Sequence, residues 1–322
     1  MDNIKKESYP SSFVAWSRNF AERFYSTSGG IFFELANAII KNGGFVVGAA
    51  YNEKLLVNHI MVNSLDEISL LQQSKYVCSS LNRIYIDIEN KLKSSDTVLF
   101  CGSPCQVSGL LSYLGKTYEN LYTVDFICRG INSKKAYLSW INEIESVEMD
   151  SVEKVWFKYK EGGWKTSPTR TRIDFKSGKT KIFFGNENKY MFGYLNSNLF
   201  LRPSCGLCRF KGQSRKSDIT IGDFWGLDPK FDDDKGASLV IINSYKGKDL
   251  FSLISDNITC IETNFQNSVE NNPMYSQSIK LPFYRKKFLL SLDKNKFSFV
   301  FNKYFKRQCL LNRIKGIKNG KA

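Results

Sequence analysis

Short apolar runs separated by glycine-containing turns fill the first part of the chain, which is the pattern of an α/β protein. The spacing predicts a helical stretch over residues 16–42, broken by a polar glycine turn at 26–30. Apolar runs at 45–50 and 55–62 then predict buried strands, and a further helix is predicted at 64–71. Together these elements make up a compact α/β unit.

Two strand–loop–helix units come next. A buried strand at 96–100 leads into a helix at 106–114, and a strand at 121–127 leads into a helix at 133–144. Because open α/β sheets bind ligands at the carboxyl ends of their strands, we expect the two intervening loops to carry a binding site.

The pattern then changes to short strand-like runs at 155–159, 170–175 and 181–184, which are split by glycine turns. A helix at 190–196, a cysteine-containing loop and a strand–helix pair over 238–254 complete the globular part. The predicted fold class is α/β with mixed α+β character, built on a βαβ-like core whose ligand-binding loops lie at strand ends.

Composition narrows the class of protein. Of the 322 residues, 42% are hydrophobic and 14% aromatic, which excludes a mostly disordered chain. No apolar run approaches the roughly 18 residues that a membrane helix needs, and the first residues lack the apolar core of a secretory signal. The sequence therefore predicts a cytoplasmic protein, whose eight cysteines need an explanation other than disulfides. A single histidine argues against histidine-rich metal sites and a Ser-His-Asp triad.

The net charge of +15 is concentrated at the C-terminal end. From Arg285 onward the chain has 12 Lys and Arg residues and one acid, Asp293. We predict a basic, aromatic-rich helical tail at 284–322, whose residues 285–322 contact an anionic membrane surface at its inner face or an acidic partner. A solvated terminal helix is the alternative. No nucleic-acid-binding fold precedes this segment, so we expect no nucleic-acid partner.

Four of the cysteines have the spacing of a metal site. Cys205 and Cys208 form a CxxC motif, and Cys105 and Cys128 each lie in a turn after a predicted strand. If those strands are neighbours, the loops bring four thiolates together. Zinc and a [4Fe-4S] cluster both accept four thiolates, and one tight pair joined to two single cysteines favours the cluster. The other four are interpreted as small buried residues or incidental thiols: Cys78, Cys101, Cys260 and Cys309.

Three polar stretches are candidates for nucleotide contacts. The stretch at 26–30 precedes a predicted helix, whose free amides and positive dipole end attract anions, although a simple helix cap has the same composition. The loop at 101–105 opens a second helix, and Ser74-Lys75-Tyr76 is a polar island. Together they are suited to the phosphates and ring edge of a nucleotide.

Two further single residues and one pair of residues have two interpretations each. His59 reads as a strand residue facing solvent or a rim, with proton transfer near a redox site as the alternative. Arg129 either contacts a ligand phosphate or offsets the charge of a cluster. Asp223 and Trp225 either end a strand or line a cofactor pocket.

Six motifs occur in an order that is familiar: Ser28-Gly-Gly30, Ser74-Lys-Tyr76, Gly102-Ser-Pro-Cys-Gln106-Val, Asp125-Phe-Ile-Cys128, Arg202-Pro-Ser-Cys-Gly-Leu-Cys208 and Asp218-Ile-Thr-Ile-Gly-Asp-Phe-Trp-Gly226. They resemble the coenzyme F420 hydrogenase/dehydrogenase beta-subunit family over about residues 9–254. The resemblance implies an iron–sulfur flavoprotein with FAD beside a [4Fe-4S] cluster. It also implies an N-terminal α/β unit at 12–93 and a cluster- and flavin-binding domain at 94–283.

The resemblance also implies the site residues. The cluster ligands are then Cys105, Cys128, Cys205 and Cys208. The flavin contacts are Ser26, Thr27, Ser28, Gly29, Gly30, Ser74, Lys75, Tyr76, Gly102, Ser103, Pro104, Gln106 and Arg129. Arg129 stands where relatives often have histidine, which argues against proton transfer there.

Many relatives carry an N-terminal ferredoxin-like domain with cysteines of its own, whereas here no cysteine precedes Cys78. We therefore expect a bacterial member without that domain, of the kind associated with polysaccharide biosynthesis, whose electrons come from a carrier such as ferredoxin or from a reduced cofactor.

The expected function is that of an oxidoreductase that passes electrons between the cluster, FAD and an organic substrate, with Lys75 or His59 supplying a proton. The alternatives are an electron-transfer or assembly subunit without its own substrate, and a zinc-stabilised α/β binding protein associated with glycan synthesis.

Overall fold

The computed structural model describes residues 10–319, with the side chains of residues 10–307 and of Cys309. The strands in this range are β1 (Ser11–Ser17), β2 (Phe45–Tyr51), β3 (Val57–Val62), β4 (Ser79–Ser80), β5 (Val98–Gly102), β6 (Leu121–Phe126), β7 (Val152–Phe157), β8 (Thr171–Phe175), β9 (Thr180–Phe183), β10 (Ile219–Asp223), β11 (Ser238–Ile242) and β12 (Ile258–Thr263). The helices are α1 (Phe20–Tyr25), α2 (Ile31–Lys41), α3 (Ile68–Leu71), α4 (Ile84–Lys93), α5 (Pro104–Leu114), α6 (Lys134–Glu148), α7 (Lys189–Asn196), α8 (Tyr245–Ser252), α9 (Phe265–Glu270), α10 (Arg285–Ser291) and α11 (Phe297–Asn319).

A large mixed sheet and a small antiparallel sheet organise the described range, so the predicted α/β class with mixed character is confirmed. The large sheet has the order β12-β1-β11-β10-β6-β5-β2-β3-β4, and β7, β8 and β9 form the small one. Neighbouring strands β2, β5, β6 and β10 run parallel. Their carboxyl ends therefore meet at one edge of the sheet, where the loops after β5 and β6 lie side by side.

Helices cover both faces of the large sheet, which explains why its central strands are apolar on both sides. Val46 and Leu99 belong to the core that contains α2, whereas Val47 and Phe100 belong to the core that contains α4 and α5. Because side chains alternate along a strand, consecutive apolar residues serve opposite faces.

A third core lies between the small sheet and helices α6 and α7, and it is built from aromatic rings. Trp140 stacks on Tyr190 with ring centroids 5.0 Å apart, and Tyr190 stacks on Phe200 at 5.1 Å. Phe157 and Phe175 of the small sheet are completely buried in the same core.

Helices α10 and α11 close this aromatic core. The segment predicted as a basic tail is helical in the described range, but its apolar side chains pack inside the protein: Phe288, Phe297, Val300, Phe301 and Tyr304 are buried. This part of the segment is therefore a component of the aromatic core. Among residues 10–319, no helix combines the length and the apolar character that crossing a bilayer requires.

Two predicted elements were wrong in extent. Residues 16 and 17 belong to β1, which pairs with β11 and β12 from the other end of the chain, and local periodicity cannot show such a pairing. The helix predicted at 64–71 is reduced to α3. The other predicted elements lie within a few residues of observed ones.

Candidate functional site

A cleft of about 470 Å³ opens at the carboxyl ends of three parallel strands. Gly102 at the end of β5, Ile127 after β6 and Asp223 at the end of β10 line it. Its volume falls within the roughly 300–1,000 Å³ that is typical of cofactor sites. The cleft thus lies where the strand order predicts a ligand.

Most of the polar positions singled out from the sequence meet in this cleft. Of the positions singled out from the sequence, those that line the cleft are Ser26, Thr27, Ser28, Gly30, His59, Ser74, Lys75, Tyr76, Gly102, Ser103, Gln106, Cys128, Arg129, Asp223 and Trp225. The fold therefore brings together stretches that are far apart in the chain. The lining does not include Gly29, Pro104, Cys105, Cys205 and Cys208.

The stretch at 26–30 forms the loop into α2, and hydrogen bonds hold it in place. Thr27 Oγ1 accepts from the amide of Ser74 at 2.9 Å, and Trp164 Nε1 donates to the carbonyl of Thr27 at 3.2 Å. Gly30 precedes α2 in the left-handed conformation, with φ +86°. The first amides of α2 are therefore presented at the cleft, where the helix dipole favours an anion.

Gly29 serves packing and does not line the cleft. Its amide donates to Ser238 Oγ at 2.9 Å, and an added Cβ would lie 2.4 Å from the carbonyl oxygen of Ala15. The backbone of this loop approaches β1 and β11 so closely that only glycine fits.

Lys160, which the sequence analysis did not identify, is buried beneath the same loop. Its ammonium donates to the carbonyls of Arg23, Ser28 and Lys235. Burial, followed by the nearby charges of Arg23 and Lys158, lowers the pKa of Lys160 to about 7. A lysine just after a short strand-like run gives no sequence signal for such a role.

The loop after β5 is shaped by its own side chains. Gln106 Oε1 accepts from the amide and from the hydroxyl of Ser103, both at 2.9 Å. Pro104 occupies the first position of α5, where its missing N–H costs nothing. Cys105 follows in the first turn, is exposed, and lies 3.2 Å from Ser103 Oγ.

The Ser74–Tyr76 stretch contributes an amine and an aromatic ring. Lys75 Nζ donates to the carbonyls of Leu70 and Gln72, the first at 2.9 Å. Burial lowers the pKa of Lys75 to about 7, so it exchanges its proton near neutral pH. The ring of Tyr76 packs on Tyr194 with centroids 4.9 Å apart.

His59 lies on the cleft wall but is buried, so the expectation that it faces solvent or a rim was wrong. Its Nδ1 lies 2.7 Å from Ser79 Oγ and its Nε2 lies 3.2 Å from the carbonyl oxygen of Cys101. The ring stacks on Phe100, with centroids 5.5 Å apart. Burial lowers the pKa of His59 to about 4, so the ring is neutral at physiological pH. β3 pairs with strands on both sides, which explains this burial.

Arg129 lines the cleft, and its guanidinium makes three hydrogen bonds within the protein. It donates to the carbonyls of Tyr194 and Leu195, at 3.1 and 2.8 Å, and to Asn198 Oδ1 at 3.0 Å. These two carbonyls belong to the last turn of α7, which has no helical partners for them. Arg129 therefore caps α7, which neither of the two interpretations from the sequence included.

The four predicted ligand cysteines are neighbours. Burial is the main cause that raises the pKa of Cys128, to about 12, and the charges of Cys105 and Cys205 raise it further. The charge of Cys208 likewise raises the pKa of Cys205. The amide of Ile131 points at Cys205 Sγ at 3.4 Å. Within the described residues, no three His, Cys, Asp or Glu side chains are arranged so that they could hold one metal ion.

A buried ion pair fastens the cysteine-bearing segments to each other. Arg215, shortly after the CxxC motif, donates to Asp125 Oδ1 at 2.9 Å, and both side chains are almost completely buried. Lys211 donates to the carbonyl of Cys128. The segment with Cys205 and Cys208 is thereby attached to the end of β6, where Cys128 follows.

Lys158 lines the cleft and, like Lys160, was not among the residues predicted from the sequence. It lies just after β7, with its ammonium paired to Asp223 and only 5% of its side chain exposed. The sequence signal that could have identified Lys158 is its position directly after the apolar residues of a strand. Only the folded chain shows that Asp223 faces it.

A little over half of the chain matches a known protein family. Residues 95–267 match the family described as the C terminus of the beta subunit of coenzyme F420 hydrogenase/dehydrogenase. No curated protein matches the sequence.

One solved structure of similar fold is a chain of the F420-reducing [NiFe] hydrogenase complex from Methanosarcina barkeri. The two chains share 15% sequence identity with a TM-score of 0.53, and the match covers 85% of this chain and 96% of that chain. At this identity the likeness concerns the fold.

Proposed function

Because the chain belongs to the coenzyme F420 hydrogenase/dehydrogenase beta-subunit family, a family of oxidoreductase subunits, we propose that it is an electron-transferring iron–sulfur flavoprotein. In this proposal the cleft holds FAD and the four cysteines hold a [4Fe-4S] cluster. The observation that carries it is the convergence of three polar stretches and Cys128 on one cleft, with Cys105 and Cys205 acting electrostatically on Cys128 and Cys208 acting on Cys205.

The residues of the cleft are suited to a dinucleotide. The amides at the start of α2 fit its phosphates, because a helix N-terminus of this length offers free donors and a positive dipole end. Tyr76 and Tyr194 offer aromatic surface nearby, and Lys158 offers a buried cation. When bound, FAD supplies two-electron storage together with one-electron exchange.

The donor set supports an iron–sulfur cluster by its chemistry. Four thiols on three segments act electrostatically on one another, and thiolates are the ligands that iron–sulfur clusters take. The Ile131 amide that points at Cys205 is a hydrogen-bond donor of the kind that tunes the potential of such a cluster. Lys211 and Arg202 place positive charge beside thiolates, which offsets their negative charge.

For proton transfer we propose Lys75. Its amine lies on the cleft wall with a pKa of about 7, so that it holds or releases a proton at neutral pH. His59 is the weaker candidate because both ring nitrogens already have partners and the ring is neutral. We propose that His59 has a structural role and links β3 to Ser79 in β4 and to the carbonyl of Cys101 in β5.

For the partners of the protein, we propose that it is a cytoplasmic enzyme that exchanges electrons with an external carrier such as ferredoxin and acts on an organic substrate. An electron-transfer subunit without a substrate of its own is the alternative, and turnover of a candidate substrate with a reduced carrier would separate the two. Membrane contact through 285–322 is a weaker proposal, because the aromatic residues that suggested it are largely buried.

The first prediction concerns the cofactors. Protein purified without oxygen should be brown, with flavin bands over a broad iron–sulfur shoulder, and should contain about four iron atoms per chain. Replacing both Cys205 and Cys208 by Ser should remove nearly all the iron, because two of the four ligands are lost.

The matched control replaces the exposed Cys260 and Cys309 by Ser, which should leave the iron in place. A colourless wild type with one tightly held zinc ion would contradict the proposal and support the zinc-stabilised binding protein. Full iron content in the Cys205→Ser/Cys208→Ser variant would show that the ligands lie elsewhere.

A further inference from the structure

We propose that the surface around the CxxC motif is the docking face for an acidic electron-carrier protein. By docking face we mean the exposed surface of residues 202–216 and of residues 276–292. The inference rests on the proposed function, because it assigns the electron partner of the four cysteines.

The two segments pack against each other. A Cβ at Gly206 would lie 3.0 Å from Leu281 Cδ1, and Arg285 acts electrostatically on Cys205. Arg285 also donates to the carbonyl of Leu201, immediately before the first segment. The two segments therefore form one continuous surface patch, which contains two of the proposed ligand cysteines.

Each segment has one large apolar side chain that is more than three-quarters exposed. Leu207, which stands between the two cysteines of the CxxC motif, is 86% exposed, and Phe283 is 78% exposed. Neither contributes to the protein's own core. Exposed apolar side chains within a polar surround are the composition of a protein interface.

The charge around these two side chains has one sign. The two segments contain nine basic residues and no Asp or Glu: Arg202, Arg209, Lys211, Arg215, Lys216, Lys280, Arg285, Lys286 and Lys287. Six of these are exposed, namely Arg202, Arg209, Lys216, Lys280, Lys286 and Lys287. Exposed cations of this kind attract an acidic partner and orient it during approach.

The arrangement favours an acidic redox protein over other occupants. A second copy of this chain would present the same positive face, and the like charges would repel. A lipid surface satisfies the charges but leaves unexplained why they surround the cysteines. A redox protein docked here exchanges one electron with the centre held by the cysteines: one centre loses the electron that the other gains, and no bond forms or breaks.

The test uses the cofactor-loaded protein and a purified acidic ferredoxin as probe. The face variant is Arg209→Glu/Lys286→Glu, and the control is Lys41→Glu/Lys116→Glu. Lys41 and Lys116 precede β2 and β6, so they lie at the opposite edge of the sheet. Both double variants change the net charge by the same amount, so only the position of the change differs.

We expect the face variant to bind the ferredoxin at least about tenfold more weakly than wild type at low salt, and the difference to shrink as salt screens the charges. The control should stay within about twofold of wild type. Equal weakening of the two variants would overturn the proposal, since it would reflect net charge alone. Absence of ferredoxin binding to loaded wild type would overturn it as well.

Iron and flavin content, measured on the same samples, separates this proposal from the proposed function. A wild type without iron and flavin contradicts the proposed function, whereas equal binding by fully loaded variants contradicts only the docking face. Vesicles with anionic lipid are the second probe. Vesicle binding that the face variant alone loses, with ferredoxin binding unchanged, would assign the surface to a membrane and overturn the proposal.

Discussion

Lys158 and Asp223 set the charge on one wall of the cleft. Lys158 has a backbone φ of +56°, in the left-handed region that is costly for a residue with a side chain. Burial is the largest single effect and opposes its charged form, but the charges of Asp223 and Tyr76 and the hydrogen bond to Asp223 together outweigh it, so the pKa of Lys158 lies above its ordinary value. Strain at a buried ion pair facing a cleft is typical of functional positions.

We predict that Lys158→Met lowers the free energy of unfolding by about 3–5 kcal/mol, because it leaves Asp223 without its counter-ion in a partly buried site. The double variant Lys158→Met/Asp223→Asn should recover most of the loss. Urea unfolding at pH 7 measures both. Lys230→Met, which breaks an exposed ion pair with Asp228, is the control and should cost less than about 1 kcal/mol. Equal stability of the single and double variants would show that the pair is not coupled.

Helix α11 shows how one element serves the protein's own core despite its basic composition. Phe297, Val300, Phe301 and Tyr304 recur at helical spacing and are buried, whereas Phe299 is 60% exposed. Phe301 packs so closely on α7 that a Cβ added at Gly193 would lie 2.7 Å from its ring. The apolar face of this helix is therefore part of the aromatic core.

At this scale we predict that Phe301→Ala lowers the free energy of unfolding by about 3–5 kcal/mol, because it opens a cavity in that core. Phe299→Ala, the matched control on the exposed face, should change it by less than about 0.5 kcal/mol. The same two variants test the membrane proposal: weaker binding of Phe299→Ala to anionic vesicles would support contact through this helix. Similar unfolding free energies for the two variants would contradict the burial of Phe301.

The whole molecule places several basic groups in surroundings that disfavour their charge. Burial lowers the pKa of Lys75 and of Lys160 from 10.5 to about 7. Between these values the unfolded chain binds protons that the folded protein does not, so the stability of the fold rises with pH. Above about pH 9 the rise becomes shallower, because burial raises the pKa of Cys101 from 9.0 to about 12, so the folded state keeps a thiol proton that the unfolded chain loses.

We therefore predict that the free energy of unfolding increases from pH 7 to pH 9. Urea unfolding at both pH values, on samples with equal cofactor content, measures the slope. Lys75→Met should give a shallower rise because it removes one of the two titrating amines. A wild type that is more stable at pH 7 than at pH 9, or a variant with an unchanged slope, would contradict this account.

Local sequence patterns were sufficient to predict most helices and strands and to identify the family. The alternation of apolar runs and turns predicted strands β2, β3, β5 and β6 and the helices that follow them, because periodicity reflects which side of an element is buried. Ordered motifs were sufficient to identify the resemblance that the family match over residues 95–267 confirmed. Both kinds of information are contained in neighbouring residues.

Tertiary structure decided what individual residues do. β1 is a strand because it pairs with β11 and β12, and Lys158 forms a buried ion pair because Asp223 faces it. Arg129, predicted as a flavin contact, also caps α7, and Gly29, predicted in the same role, allows close packing on β1. Which polar groups already have partners depends on contacts between distant parts of the chain. The sequence by itself thus determined the elements and the chemistry on offer, and only the fold decided which groups are left for a ligand.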